Sequence, residues 1–254
     1  MTEKVETPLG EPPMPQVSQP SDMWTLVYLN CEWIASIPLT LGTDWRIMRR
    51  MKVENRPDHP YTDDACREAT GKTIAQWYAE FDATDALKLG RREIVNKIYV
   101  AHKDIWWATT LFVEYEKEKG VKKKDGLFEG YTICVTKSIS APVSKAYGVW
   151  TDPEHFAEMF GDGATQTVAE GGLIQCAGGC QGEFSRVRAD KDLRFSWTHP
   201  GCTAPMTVDV QFQDNKGKTL MNVMTSRIQT RPEADGLRNS WSEALTRLKA
   251  KSEA

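Results

Sequence analysis

The sequence predicts an α+β chain: an antiparallel sheet wrapped around a long C-terminal helix, with a separate small all-α domain before it. Three observations predict it. Apolar residues alternate with polar ones in short runs after Tyr131, the period of strands with one buried face. One long amphipathic segment, 232–251, closes the chain. Residues 61–120 show only helical spacing.

Taken in order, residues 1–22 are rich in Pro, Glu, Ser and Gln and read as a disordered tail. Residues 23–60 are an extension of uncertain character, ending in Arg56-Pro57-Asp58-His59-Pro60. Within it, 24–41 is fairly apolar but holds Asn30, Glu32 and Pro38. A charge near the middle of a membrane span costs about 2.5–3.5 kcal/mol, so a packed helix is expected there and no membrane partner. Met48 and Met51 are alternative start sites.

The helical domain follows at 61–120. Thr62 or Asp63 can cap a first helix, and Thr70-Gly71-Lys72 breaks it. Ile74, Trp77, Tyr78 and Phe81 then share one helix face, as do Ile94, Val95, Ile98 and Ala101. Trp107, Leu111 and Tyr115 recur at four-residue steps before Gly120. The adjacent Trp106 and Trp107 point about 100° apart on a helix, so one is expected in the core and the other on a contact surface, with the second domain as its default partner. Residues 121–130 read as a charged linker whose Lys122-Lys123-Lys124 run is a solvated face.

From 131 to 254 the pattern changes. A strand-like run leads to a helix opened by Ala141-Pro142 and a second opened by Asp152-Pro153. Leu193, Phe195 and Trp197 alternate with polar residues, and so do Met206, Val208, Val210 and Phe212. Asp214-Asn215-Lys216-Gly217 is hairpin-turn chemistry. Leu237, Trp241, Ala244, Leu245 and Leu248 form one stripe on the last helix.

Composition narrows the function classes. Net charge is −3, apolar content 40% and charged content 26%, ordinary for a soluble protein and not basic enough to suggest nucleic acid. Six scattered cysteines and no apolar signal segment point to reduced thiols in the cytoplasm.

Candidate chemistry is sparse. Cys176, Cys180, His199 and Cys202 make a C-x3-C…H-x2-C set, weak candidates for zinc; two strand cysteines and two loop residues are the simpler account, and no metal or other cofactor is expected. His155, Glu158, Glu183 and Asp209 are the acids and bases that could serve a dyad, with Asp209 on the polar phase of its strand and so expected to face solvent. No phosphate loop or Ser/His/Asp spacing is present.

Four segments carry a family resemblance: SISAPVSKAYGVWTDPEHFAEMF at 138–160, EGGLIQ at 170–175, GEFSRVRADKDLRFSWT at 182–198 and WSEALTRL at 241–248. In that order and spacing, residues 130–250 resemble the SRPBCC or START-like helix-grip superfamily, and within it the branch named after the activator of the 90-kDa heat-shock protein ATPase. The stretch 155–160 departs from the family, which usually carries a Trp there. Residues 63–120 resemble a small helical domain of unknown function, through Asp63-Asp64-Ala65, Thr70-Gly71-Lys72, Trp77, Glu93-Ile94-Val95, Trp106-Trp107, Tyr115-Glu116 and Gly120.

The order of elements implies a cavity between sheet and last helix, with Trp150, Phe156, Phe160, Phe195, Trp197, Met206, Val208, Val210, Phe212 and Trp241 as its apolar lining; the equal alternative is that large side chains fill it and nothing binds. The expected function is non-catalytic binding of a small hydrophobic molecule. Two alternatives stand beside it: a co-chaperone or protein-interaction module, and a cyclase- or hydrolase-like enzyme in the same fold.

Overall fold

The computed structural model describes residues 51, 53–161, 163–176 and 178–254; the expectations for 1–22 and 24–41 lie outside them. Five helices come first: α1 Asp63–Thr70, α2 Ile74–Ala83, α3 Ala86–Leu89, α4 Arg91–His102 and α5 Ile105–Glu118. Their ends follow local chemistry. The Thr62 side chain caps α1, and Gly71, at φ +76°, ends it in the left-handed conformation. Thr73 and Gln76 form a reciprocal capping box on α2. Asp104 accepts from the Trp107 N–H at 2.9 Å to start α5. Trp77, Phe81, Ile94, Ile98, Trp107 and Leu111 belong to one buried cluster. Ala101, by contrast, faces solvent, because α4 buries only the line through Ile94 and Ile98.

The rest is β1 Tyr131–Ile139, α6 Val143–Thr151, α7 Pro153–Phe160, β2 Thr165–Gln166, β3 Leu173–Gln175, β4 Gln181–Arg188, β5 Asp192–Thr198, β6 Met206–Asn215, β7 Lys218–Ile228 and α8 Arg231–Glu253. The seven strands form one antiparallel sheet in the order β1-β7-β6-β5-β4-β3-β2. The Asp152 carboxylate accepts from the Glu154 and His155 N–H groups, both at 3.0 Å, and starts α7. Lys216 and Gly217, both at positive φ, make the two-residue β6–β7 turn. The stripe Leu237, Trp241, Ala244, Leu245 and Leu248 is wholly buried in the core under the sheet.

Two expectations need correction. Asp209 does lie on the polar phase of β6, yet it is only 4% exposed. Arg194, its register partner on β5, contacts its carboxylate at 2.8 and 3.0 Å, and Arg186 of β4 reaches it at 3.2 Å. Strand phase sets the face; the long arginine stems decide whether that face is covered. Second, the tryptophan expected on a contact surface does meet the second domain, but that contact buries it, so both rings are covered. Trp107 fills the helical core, while the Trp106 indole N–H donates to Asp235 of α8 at 2.9 Å.

Asp235 is fully buried and gathers several donors. Besides Trp106 it accepts from the Asp58 N–H at 2.9 Å and from Arg231 at 2.6 and 3.2 Å, and it pairs with Arg238. The Arg231 guanidinium also lies 4.7 Å from the Trp106 ring centre and 5.4 Å from that of Tyr131, a cation–π arrangement. The Tyr131 hydroxyl donates to Glu114 of α5 at 2.6 Å. Burial alone pushes the Asp235 carboxyl up, but Arg231, the Asp58 N–H and Trp106 together hold it below the ordinary carboxylate range.

Two stability predictions follow from this packing. Trp241→Ala should cost about 3–5 kcal/mol in chemical denaturation, the range for truncating a buried Trp. Asp235→Ala should cost a similar 3–5 kcal/mol, because it strands Arg231 in a buried site. The Asp235 contribution is complete above the unfolded carboxyl pKa of about 3.9 and is lost as pH falls through the lower folded value. Denaturation below pH 4 should therefore weaken the native protein more than Asp235→Ala.

Candidate functional site

The ten residues expected to line a cavity are all buried in one cluster between sheet and helices. Helix α6 supplies Trp150, α7 supplies Phe156 and Phe160, β5 supplies Trp197 and α8 supplies Trp241. Trp150 stacks on Trp241 with ring centres 6.2 Å apart. Phe160 meets Trp150 at 5.9 Å and Trp241 at 5.7 Å, both edge-on, and lies 5.6 Å from Trp197. Phe195 packs on Trp197 and Phe212 on Trp150, while Met206, Val208 and Val210 lie on the same buried phase of β6.

The buried polar atoms without a hydrogen-bond partner among the described residues include the Thr225 hydroxyl on β7, the Gln166 Oε1 and three groups of one kind. The indole N–H groups of Trp150, Trp197 and Trp241 are buried and have no hydrogen-bond partner among the described residues. A buried donor without a partner costs about 1–3 kcal/mol, and most native ones are satisfied. Three in one aromatic cluster mark a place suited to an acceptor.

The four candidate acids and bases do not supply one. His155 sits beside Asp152, its Nδ1 3.3 Å away. Glu158 pairs with Lys251 at 2.9 Å on the surface. Glu183 is exposed on β4, and Asp209 is held by arginines as described.

A strap missed in the sequence crosses one edge of this interior. The Met51 N–H donates to the Phe160 carbonyl at 3.5 Å, and its side chain joins the core. Asn55 donates to the Gly201 carbonyl at 2.6 Å, and Asp58 continues to Asp235. Gly236 makes the passage possible: a Cβ there would lie 2.4 Å from the Glu54 carbonyl oxygen. A glycine inside a 23-residue helix, which costs about 1 kcal/mol relative to alanine, was the available sequence signal.

Three of the four weak zinc candidates gather at the same edge. Cys176 faces Cys180 across the β3–β4 hairpin, its N–H donating to the Cys180 carbonyl at 3.0 Å, and His199 lies near Cys180. The Cys176 thiol, followed by His199, lowers Cys180 to about 5, and Cys180 in turn raises Cys176. Burial lowers His199, but nearby Cys180 outweighs this and raises it. Burial pushes Cys202 up to about 12, with the Glu233 charge adding to it. Both His199 ring nitrogens are engaged: Nδ1 accepts from the Gly201 N–H at 2.9 Å, and Nε2 faces the Met51 carbonyl at 3.3 Å. Among the described residues no group of three or more His, Cys, Asp or Glu is arranged to hold a metal ion.

Away from this interior, a groove of about 520 Å³ runs between α4, α5 and β1, with Arg91, Tyr99, Ile105, Val113 and Tyr131 in its walls. Tyr99 and Ile105 are exposed there, as is neighbouring Val100. No described helix is long and apolar enough to cross a membrane.

With this geometry in hand, comparison with known proteins is informative. Residues 140–253 match the family model described as Activator of Hsp90 ATPase homolog 1-like protein. Similar solved structures include CalU16 from Micromonospora echinospora, at 21% identity over 48% of this chain and 75% of that one, TM-score 0.44. PFC0360w, an HSP90 activator from Plasmodium falciparum, is 17% identical over 48% of this chain and 95% of that one, TM-score 0.44. The Aha1 dimer from Colwellia psychrerythraea is 17% identical over 48% and 96%, TM-score 0.43. No curated protein matches the chain.

The strap yields its own prediction. Gly236→Ala raises helix propensity yet places a methyl against the Glu54 backbone, which cannot yield as a side chain would. Limited proteolysis with a glutamate-specific protease should cut after Glu54 faster in the variant than in the native chain.

Proposed function

From the match of residues 140–253 to the family model described as Activator of Hsp90 ATPase homolog 1-like protein, we propose that this domain binds a small, mainly apolar molecule bearing a hydrogen-bond acceptor. The molecule sits between sheet and α8 and undergoes no chemistry there. The observation that carries the reading is the set of three buried, unpartnered indole N–H donors of Trp150, Trp197 and Trp241. A carbonyl or ether oxygen placed among them would meet donors that the protein leaves unsatisfied. Covering roughly 300 Å² of aromatic surface would contribute about 7 kcal/mol before the costs of ordering, enough for micromolar-class binding. Entry requires side chains in the aromatic cluster to rearrange, and the strap edge at Met51 is the natural route. We place the protein in the cytoplasm, a reading supported by the scatter of its six cysteines over a long chain.

One observation favours a second reading, a co-chaperone-type interaction module. The groove beside α4 and α5 exposes Tyr99 and Ile105, and such apolar exposure suits a protein partner.

Native mass spectrometry of the freshly purified protein tests the first reading. A mass excess of a few hundred daltons, lost on denaturation, is expected. Trp197→Phe removes one donor while keeping most of the ring, and should weaken binding of that molecule about 3- to 10-fold. A bare mass, with tryptophan fluorescence unmoved by lipid-like or aromatic compounds, would reject ligand binding and leave the interaction module.

A further inference from the structure

The β3–β4 hairpin carries a pair of thiols that the binding function does not use. Gln175 faces Gln181 across the hairpin, so the next pair outward is Cys176 opposite Cys180. The Cys176 N–H donates to the Cys180 carbonyl at 3.0 Å, and the Gly179 N–H closes the loop on the Cys176 carbonyl at 2.9 Å. Directly opposed residues share one face of a sheet, and here it is the inner face, with Ile174 and Phe184. Opposed antiparallel residues have Cα atoms about 4.5–5.5 Å apart, within the span a disulfide requires. Cys180 is 4% exposed and Cys176 half-buried. His199, from the β5–β6 loop, lies near Cys180, and its ring is fixed by the Gly201 N–H and the Met51 carbonyl.

We propose that Cys176 and Cys180 form a redox-active dithiol, oxidised by hydroperoxides to an intramolecular disulfide, with His199 as the residue that positions the Cys180 thiolate. In the first step the Cys180 sulfur attacks one peroxide oxygen and the O–O bond breaks. Cys180 becomes a sulfenic acid, and the departing hydroxide takes a proton from solvent to give water. In the second step the Cys176 sulfur attacks the Cys180 sulfur, the S–O bond breaks, and the leaving hydroxide takes the Cys176 proton as a second water. The net change oxidises two thiols to one disulfide and reduces one peroxide to two waters. A thiol lowered to about 5 is thiolate at neutral pH, whereas a free cysteine near 8.5 is mostly protonated. Cys176, raised by Cys180, keeps the proton that the second step needs.

The other cysteines provide internal controls. Cys134 is exposed on β1, and Cys66 is buried in the helical cluster. The test treats the full chain with hydrogen peroxide, traps remaining thiols with N-ethylmaleimide at intervals, and reads tryptic peptides by mass spectrometry. No Lys or Arg lies between Cys176 and Cys180, so one peptide carries both and the disulfide appears as the loss of two hydrogens. That loss should proceed at least tenfold faster than oxidation of Cys134. Its rate should keep its neutral-pH value down to about pH 6, where an ordinary thiol has slowed. Cys176→Ser should leave Cys180 as a sulfenic acid captured by dimedone, and His199→Gln should move the pH profile toward that of Cys134. Oxidation of Cys180 no faster than Cys134 would overturn the proposal. So would a disulfide between Cys180 and Cys202, or one zinc ion per chain that shields the thiols from peroxide.

Discussion

The buried carboxylate of Asp235 ties together parts of the chain that are far apart in sequence. It sits in the first turns of the long helix, at zero exposure, and accepts from Arg231 on its own helix, Trp106 of the helical module and the backbone of the strap at Asp58. A lone buried charge would be costly; one surrounded by charge-assisted donors is tolerated only when every donor is in place. The constraint therefore acts in one direction. Moving the module, the strap or the helix alone would expose an unpaired group, so the three hold position together.

That constraint bears on the interior. The strap anchored at Asp235 runs back past Gly236 and Gly201 to Met51, whose side chain enters the same core as Trp150, Trp197 and Trp241. The aromatic cluster is thus bounded by the sheet, by α8 and by a segment from outside the family-matched residues 140–253. Fully buried aromatic rings in edge-to-face contact make a rigid interior, while the unpartnered indole donors make it an imperfect one. The four candidate acids and bases are engaged or exposed elsewhere: His155 beside Asp152, Glu158 with Lys251, Asp209 with its arginines, and Glu183 toward solvent.

Much of the scaffold was legible in the sequence, because periodicity and end-capping are local. The hairpin at 214–217, the Asp152 cap and the stripe from Leu237 to Leu248 all follow from residues within one or two turns of each other. The readings that failed depended on what came from a distance. Asp209 is on the outward phase of β6, but arginines from two other strands cover it. Trp106 is covered by the contact it was expected to make with the second domain, where its indole N–H donates a hydrogen bond to Asp235, 129 residues away. The strap carries no periodicity, so its prolines and charges resemble a linker. The C-x3-C spacing is local, since the β3–β4 hairpin sets Cys176 opposite Cys180, whereas His199 reaches that edge from the β5–β6 loop.

The central claim is that Trp106 and Asp235 act as one unit that locks the helical module to the long helix. A double-mutant cycle on denaturation stability, with Trp106→Phe, Asp235→Asn and the pair, measures it directly. The indole N–H donates to the carboxylate at 2.9 Å, so the two changes should couple by about 0.5–3 kcal/mol, the pair costing less than the two single losses together. Additive losses, with coupling under about 0.3 kcal/mol, would show that the two residues act independently and would contradict the account.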